Sequence, residues 1–210
     1  QKTLGLSFAL FVIFGLFFRS YYLFVPVIAT LMYLFTFINI NNKTIKTILF
    51  SILIAVAMSF SYKLIIGKYI SESTREMHNL ERLRSDEARS MIQSPIPTDS
   101  WYGETFGVFY GYISVNIPLN AIHQLLKPQV MAFIIWQLFV FYLLYLRFQK
   151  CIQNRSAFRY ELWVFLFIFS YFVVQGMFEP DLGSAVRHKI GIFPLIYFAI
   201  YYDKFSIKKR

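Results

Sequence analysis

Glu179, Asp181, Arg187 and His188 fall within one short stretch, EPDLGSAVRHK, between two apolar runs at 162–178 and 190–202. A carboxylate here can act as general base toward a sugar hydroxyl. Arg187 presents a planar fork of donors that fits two phosphate oxygens at once. His188 adds an imidazole, a residue type suited to proton transfer. Ionisable groups beside lipid are costly and ordinarily face a polar cavity or a partner, so the stretch is a candidate site. Plainer readings stand beside each role. The stretch is a polar turn between two spans, Arg187 is a surface anchor opposing Asp181, and His188 is a neighbour whose bonds are already satisfied.

A second group of ionisable residues lies in 67–128, which holds most of the chain's eleven acids. Arg82, Arg84 and Arg89 alternate there with Glu81, Asp86 and Glu87, and Asp99, Glu104, His78 and His123 follow or precede. The spacing of Met77, Leu80, Leu83, Ala88 and Met91 predicts an amphipathic helix over 72–92, with its Met77/Leu80/Leu83 side packed on protein. Ser73 and Glu76 have capping-box spacing, and Arg82–Asp86 is an i,i+4 pair. Glu81 and Glu87 also fit a solvated helix face. Ser94-Pro95-Ile96-Pro97 ends the helix. Residues 101–126, aromatic and glycine-containing, read as a re-entrant or interfacial segment, with a plain span at 106–126 as the alternative.

The elements that must position these groups are membrane helices. The chain is 57% hydrophobic, 20% aromatic and 15% charged, with mean hydropathy +0.52. A soluble domain of 210 residues needs more polar surface than this. The expected fold is an all-α integral membrane protein with about six transmembrane helices. Three lie in 1–66 and three in 129–210, and 67–128 forms a long extracytoplasmic segment. The run at 190–202 is short for a span, which needs about 20 apolar residues. Alternate loops collect Lys2, Lys43, Lys46, Arg147, Lys150, Arg155, Arg159, Lys204, Lys208, Lys209 and Arg210, whereas the other short loops hold Arg19, Arg187 and Lys189. The positive-inside rule then places both termini in the cytoplasm, with 67–128 and 179–189 outside.

The net charge of +10 sits at the ends of apolar runs, so it speaks for membrane topology and against nucleic acid. The one cysteine, Cys151, excludes an internal disulfide. The three histidines are dispersed and form no HExxH pair, so no metal is expected. No Walker loop, dinucleotide-binding glycine fingerprint or GxSxG elbow occurs, and no cofactor is expected. A polyprenyl-pyrophosphate-linked sugar would need a site of this kind, with its tail in the bilayer, its pyrophosphate at the interface and its glycan outside.

The order of an arginine-rich amphipathic segment, SVNIPLNAIHQLLKP, a span, a basic loop, a span and DLGSAVRHKIGIFPL resembles the C-terminal part of polytopic membrane proteins from bacterial polysaccharide gene clusters. These are of the O-antigen polymerase and lipid-linked-sugar glycosyltransferase kind. The resemblance covers about 75–202 and rests on Arg84, Arg89, Ser90, Pro118, Pro128, Gly183, Arg187 and Pro194. Asp181 stands where the pattern leads one to expect Asn. The chain also has half the spans of a full polymerase, as the C-terminal half of one would, and it opens at Gln1 rather than Met. The resemblance implies glycosyl transfer at the outer leaflet of the bacterial cytoplasmic membrane, alongside partner proteins of the same pathway. Arg187 with Arg84 or Arg89, and His188, would bind substrate; Asp181 or Glu179 would be the base. The rivals are a transporter or flippase of the lipid-linked sugar, for which no inverted repeat is visible, and a non-catalytic membrane subunit.

Overall fold

A computed structural model describes residues 2–17, 19–82, 91–117 and 127–205. In chain order the helices are α1 (Lys2–Phe17), a 3-10 turn (Ser20–Leu23), α2 (Phe24–Phe35), α3 (Lys43–Ile66), a π-turn (Glu72–Glu76), α4 (Met77–Arg82), α5 (Trp101–Asn116), α6 (Pro128–Gln153), α7 (Arg159–Phe178), α8 (Leu182–Ile190), α9 (Phe193–Ile200) and α10 (Tyr202–Phe205). Among the described residues, the only extended pairing is one isolated bridge, Met91 with Asp181. The fold is all-α.

Among the described residues three helices are long and apolar enough to cross a bilayer: α3, α6 from Met131, and α7. The expected count was six. The α1 helix has 16 residues, the Ser20–Phe35 run bends from a 3-10 turn into α2, and α9 has eight. Each falls short of the length that spans hydrocarbon unaided. The bundle forms around α7, whose apolar window is 89% buried against 28% for α3 and 22% for α6. With neighbours on every side, α7 needs no polar face, and Leu162 to Met177 is almost wholly apolar except for Ser170, Tyr171 and Gln175.

Ring contacts fix the directions. Tyr33 stacks on Trp163 at 4.6 Å and Phe24 on Phe178 at 5.6 Å, so α2 runs antiparallel to α7. Phe148 packs by Phe165 (5.8 Å) and Phe141 by Phe172 (5.3 Å), so α6 does the same. Phe8 of α1 meets Trp163 and Phe167. One end of the bundle therefore carries Thr36, Arg147, Arg155, Glu161 and Asp203, which are joined there by hydrogen bonds and ion pairs. The other end carries the α1–α2 hairpin, the outgoing end of α3, and 178–189.

The α5 helix docks at this second end. Ser100 caps it, its Oγ accepting from the Gly103 N–H at 3.2 Å. Its inward face is small or polar: Gly103, Glu104, Gly107, Val108, Gly111, Ser114, Val115 and Asn116 are buried, while Trp101, Tyr102, Phe106 and Ile113 point outward. Glycine at every fourth position lets backbones meet. A Cβ on Gly111 would lie 2.1 Å from the Gly176 carbonyl, and one on Gly176 would lie 2.5 Å from the Tyr112 Cα. The expected re-entrant or spanning segment at 101–126 is thus a helix through Asn116, and 118–126 lies outside the described residues.

The expected amphipathic helix over 72–92 is corrected in three respects. It opens as a π-turn and continues as α4 to Arg82, the last described residue before Met91, and Met91 forms a bridge with Asp181. Ser73 does not cap; its Oγ donates back to the Tyr69 and Ile70 carbonyls within a helix already under way. Met77 and Leu80 are exposed, at 49% and 65%, whereas Arg75 and Asn79 are buried. The polar face turns inward because it is the side that meets the α5–α7 crossing. Arg84, Arg89 and Ser90, with Leu83, Asp86 and Glu87, lie outside the described residues.

Candidate functional site

The turn expected at 179–189 is itself helical, and its N-terminus is a local consequence of sequence. Asp181 is extended and accepts from the Ser184 N–H at 2.7 Å, capping α8. An N-cap aspartate contributes about 0.5–2 kcal/mol to its helix. Met91 pairs with Asp181, and the Ile92 N–H donates to the Pro180 carbonyl at 2.8 Å. Asn79 of α4 in turn donates to the Ile92 carbonyl at 3.0 Å. Ile92, Val115 and Ala185 form a small apolar core of their own with Tyr110 and Leu182. The stretch after 67, α5 and the 179–189 turn therefore meet at one end of the bundle.

Glu179 is the centre of this end. Only 1% of it is exposed. One oxygen, Oε2, accepts from Ser184 Oγ at 2.8 Å; the other, Oε1, lies 2.6 Å from His188 Nδ1 and accepts from the Tyr21 hydroxyl at 3.5 Å. A buried carboxylate needs such partners, since an isolated one costs several kcal/mol. Helical geometry explains the pairing: α8 begins just after Glu179, and its second turn brings His188 back over the carboxylate. The imidazole is partly open, with 23% of its side chain exposed. No hydrogen bond among the described residues engages its Nε2. A carboxylate that fixes Nδ1–H leaves Nε2 as the basic nitrogen, the usual way an imidazole base is oriented.

The sequence-predicted residues thus divide. Glu179 and His188 touch, Asp181 caps the helix that carries His188, and Arg187 lies next to it on the exposed face of α8. Arg187 has no ion-pair partner among the described residues.

Four features were not foreseen. Tyr171 donates to the His188 carbonyl at 2.7 Å, and Gln175 donates to the Tyr171 hydroxyl (3.3 Å) and the Ala185 carbonyl (3.2 Å), so α7 holds α8 in register. Lys189 is buried, donating to the Val115 carbonyl at 2.7 Å with Nζ 5.5 Å from the centre of the Phe172 ring. Burial pushes its pKa down to about 7. Arg75 is buried and donates to the Gly176 carbonyl (3.1 Å) and the Gly107 carbonyl (3.2 Å), bolting the α5–α7 crossing. Glu104, also buried, accepts from Ser59 Oγ (2.5 Å) and Ser71 Oγ (3.1 Å) and faces the Arg75 charge without touching it. The signal for the Arg75 crossing lay in the glycine spacing of α5, which marks where a neighbour's backbone must come close.

Among the described residues no group of three or more His, Cys, Asp and Glu side chains converges as metal ligands. No protein-family model, curated protein or solved structure matches the chain.

Proposed function

We propose that this chain takes part in assembling a cell-surface polysaccharide, transferring glycosyl groups from polyprenyl-pyrophosphate-linked sugars at the outer leaflet of a bacterial cytoplasmic membrane. The observation that carries this reading is the Glu179–His188 pair, 2.6 Å apart, beside the exposed Arg187 at one end of an apolar bundle. Lys43, Lys46, Lys150, Arg155, Arg159 and Lys204 belong to the opposite end of the helices. The positive-inside rule would make that end cytoplasmic and this one external. In this arrangement six crossings come from α1, the Ser20–Phe35 run, α3, α6, α7 and the α9 region.

The geometry redistributes the roles that residue types alone suggest. His188 Nε2 takes the proton from the acceptor hydroxyl, and Glu179 fixes the imidazole and stabilises its charge. The hydroxyl oxygen forms a bond to the sugar's anomeric carbon as the bond from that carbon to the pyrophosphate oxygen breaks. The electron pair leaves with the polyprenyl pyrophosphate, whose charge Arg187 offsets through its forked donors. Asp181 serves the site by capping α8.

Arg187→Lys keeps the charge and loses the fork. Removing one charge-assisted bond, about 1.5–3 kcal/mol, should cut glycan assembly about tenfold or more at unchanged protein level. Polysaccharide length on a gel, beside a blot of the membrane fraction, reads both. Full-length glycan at normal expression ends the assignment and leaves a transporter or subunit role.

A further inference from the structure

The α1–α2 hairpin enters the site from the far end of the sequence. Tyr21 reaches the Glu179 carboxylate across 158 positions. Its ring is clamped against Phe178, 4.9 Å away and 12° from parallel. Tyr22 stacks on Tyr171 at 5.5 Å, their hydroxyls lie 3.4 Å apart, and the Tyr171 hydroxyl donates to the His188 carbonyl. Two routes therefore join the hairpin to the Glu179–His188 pair, one to the carboxylate and one to the backbone of the imidazole.

Arg19 stands at the outer end of the first route. It donates through one NH to the Tyr21 hydroxyl at 2.6 Å and lies 5.7 Å from the centre of that ring. The guanidinium is exposed, and a guanidinium carries five N–H donors. Among the described residues none of the others finds an acceptor. An arginine whose orientation is fixed on one side, with donors left on the other, is preorganised to span two oxygens of an oxyanion. The apolar surroundings, Tyr21, Tyr22 and Phe178, argue that the anion is borne by a lipid.

We infer that Arg19 is an anion-binding arm of the Glu179–His188 site, taking a phosphate or pyrophosphate ester carried on a lipid tail, and that Tyr21 is the positioning residue that aims it. This rests on the polysaccharide reading for the identity of the lipid and on geometry alone for the anion. Arg19 and Arg187 would then grip the leaving group from two different elements, Arg19 at the far end of the hydrogen-bond chain that leads through Tyr21 and Glu179 to His188, and Arg187 next to His188 in sequence. The first hairpin is part of the chemistry rather than only an anchor.

The test uses the full chain in phosphatidylcholine nanodiscs, with farnesyl diphosphate titrated calorimetrically. Loss of a charge-assisted fork predicts that Arg19→Gln weakens binding about tenfold. Arg19→Lys should fall between it and the wild type, and Tyr21→Phe, which frees the guanidinium without removing it, should cost about threefold. Size-exclusion profiles check that each variant folds. Inorganic pyrophosphate bound with the same Arg19 dependence supports the anion site. No farnesyl diphosphate binding by the wild type overturns it, as does a signal seen only with phosphatidylglycerol in the discs, which marks a headgroup contact. Wild-type affinity in Arg19→Gln together with loss in Arg187→Gln overturns the inference and leaves the proposed function standing. Arg19-dependent binding with full-length glycan from Arg187→Lys does the reverse.

Discussion

The two ends of the bundle handle charge in opposite ways. At one end Arg147 is shared between Glu161 and Asp203, and Arg155 donates to the Thr36 carbonyl while covering the Phe37 ring at 4.3 Å. There Arg147 and two acids are spent on each other. At the other end, the described charges are held mostly by neutral groups: Arg75 and Lys189 by backbone carbonyls, Glu179 by Ser184, Tyr21 and His188. Charges held by neutral partners retain their fields, and His188 and Arg187 stay open to a ligand. At the first end the charged groups close on one another, and at the second Arg187 is exposed and His188 partly so, as the proposed function requires.

The largest effect should come from the crossing on which the open end is mounted. Gly111→Leu puts a side chain where a Cβ alone would sit 2.1 Å from the Gly176 carbonyl and 2.2 Å from Arg75. Backbone cannot yield as a side-chain tip does. The α5 helix must lift from α7, and Arg75 loses its carbonyl partners. Overpacking costs about 1–3 kcal/mol, and a buried charge left without partners adds several more. Little folded protein should be recovered from detergent, measured as the monodisperse fraction in size exclusion. A monodisperse, wild-type-like Gly111→Leu would mean that α5 does not pack here.

Next comes a paired substitution that contrasts the ends. Arg147→Met strands Glu161, which is only 1% exposed, and breaking a buried pair costs about 3–5 kcal/mol. Arg187→Met removes an exposed side chain and should change stability by no more than about 0.5 kcal/mol. Thermal midpoints in the same detergent should therefore fall sharply for the first and hardly move for the second. Glycan assembly should fail in Arg187→Met even though the protein is stable. Equal midpoints would erase the distinction between the ends.

The sequence displayed some of this arrangement and hid the rest for physical reasons. The apolar runs at 47–66, 130–146 and 162–178 became α3, α6 and α7, because hydrocarbon length and composition decide such helices locally. Lys43, Lys46, Arg147, Lys150, Arg155, Arg159 and Lys204 share one end of the bundle, while Arg19, Lys63, Lys68, Arg75, Lys127, Arg187 and Lys189 lie at the other, so the basic residues do not sort to a single end. The 72–92 stretch went wrong because an aqueous rule, apolar side inward, was applied where polar Arg75 and Asn79 are the inward side and Met77 and Leu80 are exposed. The Asp181–Ser184 spacing is a cap signal, yet two acids beside a histidine read more readily as chemistry. The Tyr21–Glu179 contact is beyond any local pattern, since it depends on α2 and α7 having packed antiparallel. The glycines at 103, 107 and 111 were legible in the sequence; what fills the space they leave, the Arg75 guanidinium, was not.

The smallest expected effect tests whether the open end is as dry as its contacts imply. Among the described residues Lys189 donates only to the Val115 carbonyl, and burial holds its pKa down to about 7. An unfolded lysine titrates near ~10.4. Below about 7 both states are protonated, and the full cost of burying the ammonium weighs on the fold. Between these values the unfolded chain carries a proton that the folded chain has lost. Stability therefore rises with pH across this window, by at most about 1.4 kcal/mol per unit. For a protein of this size that is a rise in thermal midpoint of about 2–4 °C per kcal/mol. Lys189→Met removes the titrating group, so its midpoint should stay level between pH 7 and 9 while the wild type climbs. The difference between the two curves cancels other groups that titrate in both. Parallel curves would show that water reaches the Lys189 ammonium, and that the α5–α8 contact at Val115 is open rather than sealed.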